Sequence, residues 1–132
     1  MSKSKGNVID PFNLLKKYGS GVLRAYLCSR ITLYQDGILN EELFANFYQD
    51  FFVKKLGNLL ARTSRMLELY CQGFVPKFEN LSNPSLVNYF GKCSRLVKEY
   101  QEKMNLYSLT EAFASIQEIL DLTNKLISEL SP

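Results

Sequence analysis

Apolar residues recur at alternating spacings of three and four along most of the chain, with polar residues between them. The pattern begins after Asp10-Pro11, where a carboxylate can cap free backbone amides and proline suits the first helical position. Phe12, Leu14, Leu15 and Tyr18 then lead to Gly19, which predicts a short helix over 11–18. Ser20 is placed to cap a second helix over 21–30, whose Val22, Leu23, Ala25, Tyr26 and Leu27 suit a buried position. Residues 31–39 read as a connector with a turn at Gln35-Asp36-Gly37. Asn40 ahead of Glu41 and Glu42 starts another helix, with Leu43, Phe44, Phe47 and Tyr48 on one side.

Three longer seams follow. The first runs Phe52, Leu56, Leu59, Thr63, Met66, Tyr70 and stops near Gly73. The second runs Leu86, Phe90, Cys93, Val97, Tyr100, Met104 and is entered through Asn83-Pro84. The third runs Leu109, Phe113, Ile116, Leu120, Thr123, Ile127, Leu130, with Ser108 and Glu111 in capping-box spacing. No segment alternates with period two for long, so the pattern predicts an all-α domain built as a helical bundle. At these spacings the Met, Tyr and Phe residues are ordinary core and not a cofactor box. The cluster Phe51-Phe52-Val53 is expected to pack against Phe44 and Phe47.

Composition narrows the picture. The chain has 132 residues, 46% of them hydrophobic, which suits one domain with a real core. No stretch approaches the roughly 18 uninterrupted apolar residues that a membrane span needs, and the polar, lysine-rich start does not read as a signal peptide. Cys28, Cys71 and Cys93 are odd in number and widely spaced, as expected of reduced thiols in the cytoplasm. The sequence has no histidine, which removes the commonest general base and the commonest metal ligand. Net charge is +3, but residues 1–72 carry +4 and residues 73–132 carry −1. A basic first half is compatible with a polyanionic partner without demonstrating one.

Two segments carry candidate chemistry. Ser2-Lys3-Ser4-Lys5-Gly6 offers mobile cations, hydroxyl donors and a glycine that admits close backbone approach, which suits a polyphosphate. Taken alone it fits a solvated tail as well. In Leu56-Gly57-Asn58-Leu59-Leu60-Ala61-Arg62-Thr63, Asn58 and Arg62 are four apart and share one helix face, flanked by Lys55 and Arg65. An amide and a guanidinium so placed can read base edges, and Gly57 leaves room for a base or backbone to approach. By spacing alone, a solvated helix face with an ordinary glycine accounts for the same residues.

The run Met1-Ser2-Lys3-Ser4-Lys5-Gly6-Asn7-Val8-Ile9-Asp10-Pro11 resembles the Lys-Met-Ser-Lys-Ser loop of class I aminoacyl-tRNA synthetases and the residues after it. The Asn58/Arg62 segment is similar to the Leu-Gly-Asn-Leu…Arg-Thr helix of the methionyl-tRNA synthetase family. The ending from Asn124 to Pro132 resembles that family's Asn…Pro-Trp segment, whose tryptophan would follow Pro132. The resemblance implies a remnant of the signature loop over 1–10, connecting helices over 11–39 and an anticodon-binding bundle over 40–132. It implies that Lys3, with Ser2 and Ser4, stabilises the phosphates of ATP (with Mg) in the parent enzyme. Asn58 and Arg62 would contact the first anticodon base of tRNA(Met), a cytosine, beside Pro132. Lys55 and Arg65 are placed to meet the tRNA backbone.

The family's His-Ile-Gly-His motif needs histidine, so the catalytic domain is expected to lie upstream. The chain is then expected to be catalytically silent alone, to bind no ATP, and to bind tRNA weakly. Its loop is expected to be disordered without that domain. Other readings are the anticodon domain of a valyl or isoleucyl enzyme, or a non-enzymatic helical module for RNA or protein.

Overall fold

Asp10, Asn40 and Asn83 each start a helix as their side chains predict. In the computed structural model, which describes residues 9–33, 35, 37, 39–77 and 82–130, their Oδ1 atoms accept from Phe12 N–H (2.9 Å), Leu43 N–H (2.7 Å) and Ser85 N–H (2.9 Å). The first two helices are α1 (Pro11–Tyr18) and α2 (Ser20–Arg30). Gly19, with φ 84°, joins them and is itself the cap of α2, so Ser20 is the first helical residue and makes no side-chain cap. The connector over 31–39 is non-helical where it is described, and Asp36 of the expected turn lies outside the described residues.

The next boundary departs from the sequence pattern. The helix that begins after Asn40 does not end before the first long seam. Instead, α3 (Glu41–Phe47), a π-helical segment (Tyr48–Gly57) and α4 (Asn58–Cys71) follow without interruption. The run stops at Gln72 and Gly73, both left-handed (φ 53° and 81°), and the Gly73 N–H returns to the Leu67 carbonyl at 3.0 Å. Two long helices complete the chain, α5 (Pro84–Asn105) and α6 (Leu109–Leu130), and no strand occurs among the described residues.

The core sits at one end of this arrangement. Leu14, Val22, Tyr26, Phe44, Phe47, Phe51 and Phe113 form one buried cluster. Its aromatic rings meet edge and face: Phe47 lies 5.7 Å from Phe51, and Phe51 lies 4.9 Å from Phe113. The expected packing of Phe51 and Phe52 on Phe47 is therefore present, while Val53 faces solvent. Helix α6 runs through the centre, packing most extensively on α5, then on α2, and also on the π segment and α4.

The three seams fare differently. In α6 the expected positions line the interior apart from Leu130, which is exposed. In α5 the buried position is Leu96, flanked by half-buried Tyr89, Cys93 and Tyr100, while Phe90, Val97 and Met104 point outward. The face is thus rotated from the expected one. α4 has no fully buried residue, and its packing on α6 is slight. Replacing Asn40 by alanine should cost about 1 kcal/mol by freeing the Leu43 amide. The urea midpoint should fall without a change in slope.

Candidate nucleic-acid interface

Asn58 opens α4, and Arg62 follows one turn later. Asn58 is exposed and Arg62 half-buried, so the pair shares a face but not an environment. The Arg62 Nη1 donates to Ser128 Oγ at 3.1 Å, and Ser128 Oγ donates to the Asn124 carbonyl at 3.0 Å. One turn before Asn58, Lys55 Nζ donates to Asp121 Oδ2 at 2.7 Å. The Asn124 amide lies between these links, donating to the carbonyls of Lys55 (3.4 Å) and Leu120 (3.0 Å). Asp121, Asn124 and Ser128 therefore form a polar track on α6 that fastens the end of the π segment and the start of α4, with the guanidinium at its open end.

The four polar residues expected to make one stripe divide into two pairs. Lys55 and Arg62 lean on α6, whereas Asn58 and Arg65 face solvent and Arg65 reaches Glu68 at 3.5 Å. A guanidinium held by one neutral hydroxyl keeps its charge and most of its donor fork available. Lys55 is already paired with Asp121, which makes it a brace between the π segment and α6. Asp121→Ala should lower stability by at most about 1 kcal/mol, since the pair is partly exposed, with the effect shrinking in high salt. Urea titrations at two salt concentrations would measure this.

Gly57 serves the helix geometry. A Cβ built there would stand 2.9 Å from the Phe52 carbonyl oxygen, inside the chain's own wide turn. Beside it, the Asp50 carboxyl is held below its ordinary value by the hydrogen bond and charge of Lys54, an exposed pair at 2.8 Å.

The sequence reading used Asn124 only as part of the ending and missed Asp121 and Ser128 as partners. Their spacing of three and four on a largely apolar helix was the available signal. Ser2, Lys3, Ser4 and Pro132 lie outside the described residues. A cavity of about 560 Å³ lies at the other end of α6, against Thr32, Leu33 and residues 106–111. Among its lining residues the one charged side chain is Glu111. None of the helices among the described residues is long and apolar enough to cross a membrane.

Comparison with known proteins places these residues in context. Residues 1–64 match the family described as class I tRNA synthetases (M). The whole chain is 38% identical to 25% of the methionine–tRNA ligase of Ureaplasma parvum. It is 34% identical to 20% of the same-named protein of Halalkalibacterium halodurans. A solved structure of Mycobacterium tuberculosis methionyl-tRNA synthetase, in complex with methionyl-adenylate, superposes with a TM-score of 0.86 at 25% identity. That superposition covers 97% of this chain and 25% of the other. The chain thus spans a quarter or less of the length of the relatives it matches.

Proposed function

Because the chain belongs to the methionyl-tRNA synthetase family, we propose that it is the part of such an enzyme that reads the tRNA anticodon. The carrying observation is the Asn58/Arg62 face of α4, with the arginine braced at the surface by Ser128. A base edge meeting this face finds a donor and an acceptor on Asn58 and a fork of donors on Arg62. Cytosine presents a carbonyl and a ring nitrogen as acceptors beside an amino donor, and the pair matches that set. Arg65 and the braced Lys55 supply positive charge for the neighbouring phosphates.

In this reading the three segments keep distinct tasks. Residues 40–132 bind the anticodon, 11–39 connect, and 1–10 belong to the catalytic half. In the whole enzyme, methionine and ATP would form an adenylate, and methionine would then pass to the tRNA. Lys3, with Ser2 and Ser4, would stabilise negative charge on the departing pyrophosphate. The adenylate bound by the Mycobacterium tuberculosis protein is the chemistry expected of that whole enzyme. The His-Ile-Gly-His motif of that enzyme is not in this chain, which has no histidine and should bind RNA without activating methionine.

The test is a titration of the chain with anticodon stem-loops carrying methionine, valine or isoleucine triplets at rising salt. The methionine loop should bind best, with affinity falling steeply as salt rises. Preference for a valine or isoleucine triplet would assign the domain to a different synthetase. Equal binding of all three would leave only a general RNA-binding module.

A further inference from the structure

π-Helical turns are rare and occur mostly as single-turn bulges, frequently at functional sites. Here a ten-residue π segment runs directly into Asn58. The Asn58 N–H is shared between the Lys55 carbonyl and the Val53 carbonyl, and the second, five residues away, is the closure of a wide turn. A turn closed over five residues holds more residues than one closed over four, so the next helix emerges at a different rotation. The aromatic contacts fit the wide turn. Phe47 meets both Phe51 (5.7 Å) and Phe52 (6.1 Å), two consecutive residues that an α-helix would spread apart.

Building on the anticodon reading, we propose that Gly57 is a positioning residue: it permits the wide turn that rotates α4 so that Arg62 meets α6 and both Asn58 and Arg62 present to RNA. The upstream end of the segment is fixed, because Phe47 and Phe51 are buried in the core. Downstream, α4 has no fully buried residue, and the Arg62–Ser128 bond fastens it to α6. The rotation of α4 is therefore set by the segment and read out by the Arg62–Ser128 link, while Lys55–Asp121 anchors the segment itself. A methyl group at Gly57 would press on the Phe52 carbonyl oxygen at 2.9 Å, and backbone cannot swing aside as a side chain can. The strain is relieved by closing the turn as an α-helix, which turns Arg62 off Ser128. Gly91 supplies the contrast, since it lies within α5 with open space around its Cβ position.

The experiment compares Gly57→Ala, Gly91→Ala and Ser128→Ala with the parent chain. It reads the Arg62 guanidinium signal by NMR and the affinity for stem-loops with and without cytosine as the first anticodon base. Gly57→Ala should fold, move the Arg62 signal to its position in Ser128→Ala, and reduce first-base discrimination at least tenfold. Gly91→Ala should change neither. Deletion of exposed Val53, which shortens the wide turn by one residue, is a second variant should Gly57→Ala not fold. It should likewise move the Arg62 signal. An Arg62 signal unmoved from the parent in Gly57→Ala or in the deletion would overturn the proposal. So would equal discrimination in Gly57→Ala and Gly91→Ala. A parent chain without first-base preference would instead overturn the anticodon reading, and the guanidinium signal would still decide the positioning role.

Discussion

Replacing Phe44 by alanine is expected to cost about 3–5 kcal/mol, the largest loss of any single substitution considered. Phe44 is completely buried, and its ring lies 5.0 Å from that of Tyr18 and 5.1 Å from that of Tyr26. It therefore joins α1, α2 and α3 at one point. Truncation leaves a cavity that three elements must collapse together to fill, and each also carries other contacts that resist the movement. A small domain has about 5–15 kcal/mol in all, so the variant should melt far below the parent and be partly unfolded at 37 °C. Thermal circular dichroism measures this directly. Leu60→Ala, at a side chain 68% exposed, is the control and should melt within a few degrees of the parent. A loss under about 1 kcal/mol for Phe44→Ala would mean that the aromatic cluster is not the core.

The second large effect falls on binding. Arg62→Ala should weaken binding to a cytosine-first stem-loop by about 10–100-fold, the equivalent of one good bidentate base contact. Stability should change by less than about 1 kcal/mol, because the bond lost, to Ser128 at 3.1 Å, is solvent-accessible. That disparity is diagnostic. If Arg62 served only to fasten α4 to α6, Ser128→Ala would reproduce the binding loss, and stability would fall in step. If it reads RNA, Ser128→Ala should retain most of the affinity. Asn58→Ala should also weaken binding, with no structural cost, since Asn58 is exposed.

Helix starts were legible because a cap is a local device. Asn40 and Asn83 needed only their own next residues to declare themselves. The all-α class followed equally well, since period-three-and-four spacing survives small changes of face. Which face is buried was less legible. In α5, Leu96 and Val97 are adjacent apolar residues, and only contact with α6 makes Leu96 the inner one. The continuous run from Glu41 to Cys71 was not visible either, because the π segment changes the number of residues per turn between the face holding Phe44 and Phe47 and the seam that follows. Its need for glycine arises from the carbonyl of Phe52, a backbone atom that no residue pattern reports. At the candidate site the sequence supplied Asn58 and Arg62, but not the partners. Ser128 and Asp121 lie 66 residues from Arg62 and Lys55, and such pairings are made by the fold.

The Asn58/Arg62 face of α4 is proposed to recognise the first base of an anticodon. Its most direct test is the ratio of Kd values for two stem-loops differing only there, cytosine against uridine, measured on the parent and on an Asn58→Ala/Arg62→Ala variant. The parent should prefer cytosine by about tenfold or more, and the double variant should bind both loops weakly and equally. A ratio near one in the parent, or an unchanged ratio in the double variant, would contradict the account.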